Sequence, residues 1–492
     1  MVPTPAAVAP VHAPDVCVVG AGGAGLYAAL TAAREGARVV LVSATPLAQT
    51  SSYWAQGGLA AALGPDDSPD LHRRDTETSG RGAVRRTAAN VLVREAPRAV
   101  HDLQELGVVF DHDERGDLAL GLEGGHGRRR VAHAGGSATG RRVVRQLSAV
   151  AVEEPGITVL EGARAAALWT TPEEGRCVGV LCEDGRAISA RATVLATGGA
   201  AALWSRTTNP PGSLGIGLLL AHAAGAALAD LEFVQFHPTA IIGVPGREGF
   251  LVTEAIRGEG ALLLDTHGER FVDELAGRDE VARTIVRTLR EQGTTHVDLD
   301  MRHVDPALFP NVVSALRDHG LDPVTRLLPV APACHYVMGG IVADLDGGTT
   351  VPGLYAIGES ACTGLHGANR LASNSLSECF VMGRRAALAG LDEPALRTQA
   401  VLHGATSVIV APSRETREAM WEHAGVERDG AGLERLRADH HPLARMVAAC
   451  ALHREESRGA HLRTDHPDLD PALDGLHAVV RDDEPPLLER WR

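Results

Sequence analysis

None of the 492 residues is lysine, so all 47 basic side chains are arginine. A pyridoxal phosphate enzyme needs a Schiff-base lysine and a P-loop enzyme needs Gly-Lys, so both classes are excluded. Any cationic clamp for a substrate must be built from Arg or His. Cysteine is scarce too: seven residues at irregular spacing form neither a disulfide framework nor a zinc pattern. The histidines lack the short fixed spacings of a zinc site, and no metal is expected. An excess of positive charge is also missing. A net charge of −15 and a pI near 5.8 argue against nucleic acid or an anionic membrane as partner. The apolar stretch from Ile216 to Leu228 is broken by His222 and Gly225, which suits a buried helix and not a membrane span. Residues 1–14 lack the basic start and apolar run of a signal peptide and are expected to be a flexible tail. Repeats and heptads are absent. What remains, 45% apolar and 22% charged, is ordinary for a soluble globular protein, expected to be cytoplasmic and reduced. Its length allows two or three domains.

One stretch organises the chain. Val16 to Val19 reads as a buried strand that runs into Gly20-Ala21-Gly22-Gly23-Ala24-Gly25. A helix is predicted from about Leu26 to Glu35, then a second apolar strand from Val39 to Val42. Gly20, Gly22 and Gly25 fit G-x-G-x-x-G: a tight turn, room for a pyrophosphate, and close packing of helix on strand. Backbone N–H groups at the helix start would hold the phosphates. The acidic residue expected ~20 positions on for a ribose hydroxyl is missing, with Ser43-Ala44 in its place, so simple NAD is disfavoured.

Two more buried strands end in glycine, Ala192 to Gly199 and Gly353 to Glu359. Three such strands suggest one sheet with a ligand at its carboxyl end. The run from Gln49 to Ala60, with small hydroxyls, an amide and paired glycines, suits a loop against a flat ligand. Residues 69–110 read as helical. Residues 157–197 read as strand-rich, with a turn at Glu183-Asp184-Gly185. Gly121 to Arg130 gathers a carboxylate, an imidazole and three guanidinium groups in a loop, where functional residues tend to sit. Residues 230–341 read as loops and short helices carrying His, Arg, Glu and Thr. The division that follows is a dinucleotide-binding domain at 15–229 and 342–390, a capping domain at 230–341, and a helical domain at 391–492. The Cys334-His335 pair has no second base beside it and is discounted as a nucleophile. These residues alone point to a dinucleotide enzyme with an Arg- and His-rich pocket for an anion.

Several motifs then carry a resemblance. Ala55-Gln56-Gly57-Gly58, Thr197-Gly198-Gly199, Gln235-Phe236-His237-Pro238-Thr239, Thr253-Glu254 with Arg257-Gly258-Glu259-Gly260, His335-Tyr336, and Gly367-Ala368-Asn369-Arg370 occur in order. Together they resemble the flavoprotein family of succinate dehydrogenase and fumarate reductase. The match resumes at Met420-Trp421 and at Arg454 to His461. It implies an α/β fold, a Rossmann-like FAD-binding domain with an inserted α+β capping domain and a C-terminal helical domain. The cofactor it implies is FAD, held by Gly20, Ala21, Gly22, Gly23, Ala24 and Gly25, by Ser51, Ser52, Tyr53, Trp54, Ala55, Gln56, Gly57 and Gly58, and by Glu359, Ser375 and Leu376. Ser51 stands where the respiratory enzymes attach flavin through histidine, so the flavin is expected to be non-covalent. Glu123-Gly124-Gly125-His126 resembles the branch that oxidises L-aspartate, in which the carboxylate faces the substrate amino group, a charge match that rejects substrates without the amine. The resemblance gives substrate binding to Glu123, His237, Thr253, Glu254, His335 and Arg370, and proton transfer to Arg278. It further implies iminosuccinate as product, O2 (giving H2O2) or fumarate as electron acceptor, and a quinolinate synthase as a partner that could receive the imine.

The chain departs from the family pattern at three points around the cofactor. Ala44 replaces a lysine, Ile216 an aspartate and Ser137 an aspartate. FAD affinity below the family norm is the expectation. Two other readings stay open at this point: a soluble fumarate reductase, and a flavin-binding protein that has lost turnover.

Overall fold

Short runs of β-branched and aliphatic residues, buried on both faces, form parallel sheets because helices cover both sides. Four such runs do so here, with Ile157–Leu160 added as a partly exposed edge strand. The sheet order is Leu354–Ala356, Ala192–Leu195, Val16–Val19, Val39–Val42 and Ile157–Leu160, parallel throughout. The computed structural model describes residues 14–171, 174–396, 409–482 and 484–491. The tail expected at 1–14 therefore lies, but for Pro14, outside the described residues. The three strands that end in glycine are neighbours in this sheet, so Gly20, Gly198 and Gly358 emerge side by side at its carboxyl edge. The helices Gly23–Arg34 and Asn374–Leu391 pack together over this sheet, with Tyr27 and Phe380 edge to face at 5.3 Å. Residues 69–110 form two helices, Pro69–Ser79 and Arg86–Glu105. They are parted where Arg81 and Gly82 take positive φ, which a continuous helix cannot accommodate.

The block 230–341 corrects the expectation of loops and short helices. Val234–Ile241, Leu328–Val337, Val297–Asp300 and Leu262–Leu264 make a four-stranded antiparallel sheet, and the 15-residue helix Arg278–Gln292 packs on it. The polar/apolar alternation is blurred because Val234–Ile241 is buried along its whole length, polar residues included. That sheet face is polar for a reason given below.

After the helices Arg414–His423, Gly430–Arg437 and Pro442–His453, the chain forms a hairpin, Leu476–Val480 with Leu487–Arg490. The hairpin pairs with Leu228–Ala229, a contact made only in three dimensions. Beneath it lies a buried ionic cluster. Arg454 Nε meets Glu232 Oε1 at 2.7 Å, Arg454 Nη1 meets Glu456 at 3.1 Å, and Arg458 Nε meets Glu456 at 2.7 Å. Glu232 sits just before the first capping strand, so the cluster fixes the start of that block to the C-terminal segment. Removing one partner of a buried pair strands a charge. Arg454→Met is therefore expected to cost about 3–5 kcal/mol, read as a fall in Tm or in the urea midpoint. Arg437→Met, whose partner Glu434 is exposed, should cost under about 1 kcal/mol.

Candidate active site

The glycine-rich loop fits a dinucleotide for reasons visible in the backbone. Gly20 has φ +110°, and a Cβ there would lie 2.2 Å from the Ala196 carbonyl oxygen. A Cβ at Gly25 would lie 1.8 Å from the Gly20 oxygen. The helix that follows has neither a side-chain cap at Gly22 nor an acid in its first turn, which leaves its N–H groups and dipole to an anion. The packed neighbour, Asn374–Leu391, also starts without a side-chain cap, and Ser375 and Leu376 lie in its first turn. The Ser51–Trp54 turn carries Ser51, Ser52, Tyr53 and Trp54. Ser51 Oγ lies 2.9 Å from Ser213 Oγ. Ala55, Gln56, Gly57 and Gly58 follow; Gln56 Nε2 donates to the Leu251 carbonyl in the capping block at 2.8 Å, and Gly58 N to Ser373 Oγ at 3.2 Å. Glu359 stands against Gly199, where a Cβ would meet its Oε1 at 2.4 Å. Burial pushes the Glu359 carboxyl up to about 7, so near neutrality it can donate as well as accept. These residues suit FAD.

The substrate candidates converge on one amide. Gln235 is fully buried, and its Oε1 accepts from Arg278 Nη1 at 3.0 Å and from Arg370 Nη2 at 3.0 Å. Its Nε2 donates to Asn369 Oδ1 at 2.9 Å and to the Arg370 carbonyl at 2.8 Å. His237 lies two residues along the same strand, hence on the same face. His335 reaches that face through a β-bulge. Tyr336 is opposite Gln235 and Cys334 opposite Phe236, so His335 is the extra residue on its strand. Its ring lies 5.2 Å from that of His237. His237 Nδ1 accepts from Thr239 N at 3.3 Å and His335 Nδ1 lies 2.7 Å from Thr208 Oγ1. Burial holds both imidazoles well below their usual range, with Arg278 adding to the effect. Both are neutral at pH 7, and because His237 Nδ1 accepts, its Nε2 carries an N–H donor.

Thr253 precedes the short helix Glu254–Gly258 and is buried. Glu254 Oε2 accepts from Arg278 Nε at 2.5 Å, with Arg257 3.6 Å away. Burial pushes this carboxyl up, but Arg278 and Arg257 outweigh it and hold it at about 2. Burial brings Arg370 down to about 10, helped by Arg278; its guanidinium lies 4.7 Å over the Tyr336 ring. Glu123 is 3% exposed. Its Oε2 accepts from Ser373 Oγ at 2.7 Å, while its Oε1 has no hydrogen-bond partner among the described residues. Cys334, discounted above, is buried with its thiol pushed well above the ordinary value by that burial. A cavity of about 210 Å³ adjoins the cluster, with Gln56, Leu122 and Thr253 in its wall.

Gln235 and Ser373 went unassigned in the sequence reading. Their signal was weak but present: Gln235 is at i−2 to His237 on a strand, and Ser373 sits in the run after Arg370.

Residues 15–376 match the family model described as FAD binding domain, and residues 437–491 match that described as fumarate reductase flavoprotein C-term. The chain is 43% identical to the L-aspartate oxidase of Streptomyces coelicolor, over 95% of this chain and 91% of that protein. It is 44% identical to the L-aspartate oxidase of Agrobacterium fabrum, over 92% and 91%. Among solved structures, it resembles E. coli quinol fumarate reductase at a TM-score of 0.86, with 26% identity over 97% of this chain and 96% of that one. It resembles Mycobacterium smegmatis Sdh1 at 0.83, with 30% identity over 98% and 95%.

Because both imidazoles are already neutral, carboxylate binding should not track a histidine titration. The Kd of the holoprotein for succinate is expected to change less than about twofold between pH 6.5 and 8. Protonated histidines would instead weaken binding as pH rises through about 6.5.

Proposed function

The chain belongs to the L-aspartate oxidase family of FAD-binding flavoproteins, and we propose that the cluster around Gln235 is where it holds and oxidises its substrate. The reaction is the FAD-dependent oxidation of L-aspartate to iminosuccinate, the first step of NAD biosynthesis from aspartate. Bound FAD supplies the acceptor for the two electrons that leave the substrate. It would be held by Gly20 to Gly25, Ser51 to Gly58, Glu359, Ser375 and Leu376.

The observation that carries the site assignment is Glu123, a buried carboxylate with one oxygen tied to Ser373 and the other free. A free buried carboxylate oxygen is costly unless a cation meets it, and the substrate ammonium is that cation. Formal charge agrees. Three guanidinium groups, Arg257, Arg278 and Arg370, stand against two carboxylates, Glu123 and Glu254. The remaining positive charge is neutralised by L-aspartate and exceeded by succinate. Arg370, with the planar fork that suits a carboxylate, holds the substrate carboxylates together with the His237 N–H, the His335 ring and Thr253. Pinning both ends orients the Cα–H bond, and positioning of this kind carries much of a rate enhancement. The ammonium must shed a proton before a C=N bond can form, and Glu123 Oε1 is the acceptor placed to take it. Arg278, paired with Glu254, only donates: it gives a proton to the substrate carbon when fumarate is the acceptor, and with L-aspartate its charge steadies the anionic substrate at the reacting carbon.

The electrons pass on to O2, giving H2O2, or to fumarate, a dicarboxylate that the same clamp admits. A quinolinate synthase is the proposed receiver of the imine. A cytoplasmic location accords with these partners, and no helix among the described residues is long and apolar enough to cross a membrane. The flavin is proposed to be non-covalent and weakly held. Ala44 is exposed at the end of its strand, Ile216 opens a helix with no carboxylate, and Ser137 Oγ is buried without a partner.

Purified protein given FAD and L-aspartate should bleach its flavin and form peroxide. Arg278→Ala should lower kcat at least about 100-fold, and Glu123→Gln should raise KM for L-aspartate about tenfold or more. Unchanged turnover in the Arg278 variant would overturn its catalytic role. Acid denaturation should release the whole flavin, and extensive dialysis should leave well under one FAD per chain; retention near one per chain would sink the weak-binding reading.

A further inference from the structure

The helix Pro69–Ser79 is unusual in what it buries. It is well started, with Ser68 Oγ accepting from Leu71 N, Pro69 in the first turn and Asp70 beside it. Its inward stripe is nevertheless polar: His72, Asp75, Thr76 and Ser79, at i, i+3, i+4 and i+7. An amphipathic helix ordinarily buries apolar residues at that spacing. Here each stripe residue is matched to a loop at the substrate cluster.

Two loops make the Glu123–Ser373 hydrogen bond, and the stripe holds both. On the first, Asp75 Oδ2 accepts from Gly127 N at 2.8 Å and from Arg130 Nη1 at 2.6 Å. Arg130, fully buried, also forks onto Asp67 at 2.8 and 3.0 Å. Its Nη1 reaches His126 Nδ1 at 3.2 Å. A guanidinium only donates, so His126 carries its proton on Nε2, which donates to the Ala372 carbonyl at 2.9 Å. The His126 backbone N–H closes the turn onto the Glu123 carbonyl at 3.2 Å. On the second loop, His72 Nε2 donates to Asn374 Oδ1 at 2.7 Å, Asn374 Nδ2 donates to Thr76 Oγ1 at 3.0 Å, and Ser79 Oγ donates to the Asn369 carbonyl at 3.2 Å.

Residues 372 and 374 are thus clamped on either side of Ser373. That serine has φ +61°, a left-handed conformation that persists in a non-glycine residue only when its surroundings over-determine it. We propose that Asp75, Arg130 and His126 are positioning residues that aim the free oxygen of Glu123, and that this polar helix face thereby sets the preference for an amine-bearing dicarboxylate over one without the amine. The inference rests on the reading of Glu123 given above. It adds nothing to the carboxylate clamp, whose residues lie on the capping strands, at Thr253 and at Arg370.

The test separates the amine from the carboxylates. Holoenzymes carrying Asp75→Ala or His126→Leu are assayed for KM and kcat with L-aspartate and for the Kd of succinate. The expected result is a KM raised about tenfold or more, a lower kcat because the same oxygen takes the ammonium proton, and a succinate Kd within about twofold. His126→Leu leaves the Arg130 ion pairs in place, so it carries the test should Asp75→Ala fail to fold. Parallel weakening of both ligands, or no change in either, overturns the proposal. Glu123→Gln serves as the reference. If it shifts the aspartate-to-succinate ratio while the two positioning variants do not, the positioning role alone falls. If Glu123→Gln leaves the ratio unchanged, the reading of Glu123 itself falls.

Discussion

Arg278 and Arg370 donate to the same oxygen, Gln235 Oε1, each at 3.0 Å. Two cations that close repel by about 3 kcal/mol at an effective dielectric constant near 20, and both side chains are buried. The arrangement holds because the amide dipole is aimed between them, Glu254 sits against Arg278, and the Tyr336 ring lies under Arg370. The residual positive charge is the feature that the proposed reading assigns to an anionic substrate. Much of the site follows from building a place where that charge can be kept dry.

Three separate parts of the chain supply the groups, so the site exists only while they are held together. Gln235, His237 and His335 come from the capping sheet, and Arg370 from the loop before the helix Asn374–Leu391. Arg278 opens the helix packed on that sheet, and its neighbour Asp279 meets Arg81 at 3.1 Å and Asn369 at 3.1 Å. Gln56 binds the Leu251 carbonyl from the flavin loop. The capping block is tied to the cofactor domain on more than one side, through polar contacts that water could replace. Such contacts are individually modest, which suits a cover that must admit a charged substrate.

The amine side is built differently from the carboxylate side. In the proposed reading His237 and Arg370 offer donors, whereas Glu123 offers one acceptor, aimed by a series of hydrogen bonds, buried, half-buried and exposed, that runs back to one helix. Buried polar networks are favourable only when nearly every member is satisfied. Among the described residues two buried atoms of this network lack a partner, His72 Nδ1 and Glu123 Oε1, and the second is the one that the proposed reading gives to a ligand cation.

The sequence by itself determined the glycine-ended strands of the nucleotide-binding sheet and an Arg- and His-rich pocket for an anion, while FAD and L-aspartate came from the family resemblance. The glycine pattern from Gly20 to Gly25, the two later glycine-ended strands and the order of the Arg and His motifs were all local signals, because tight turns and buried strands constrain residue type at each position. The capping sheet was not legible. Its edge strand Val234–Ile241 is buried throughout and places Gln and His where a strand normally shows aliphatic residues, so the period-two signal was lost. The bulge at His335 was invisible for a related reason: one extra residue leaves no compositional mark, and its effect is to turn a ring toward a neighbour about 100 residues earlier in the chain. The roles of Gln235, Ser373 and the Pro69–Ser79 helix were decided by tertiary structure alone. A glutamine, a serine and a polar helix are each unremarkable in sequence; they acquire function when folding removes water and leaves them only each other as hydrogen-bond partners.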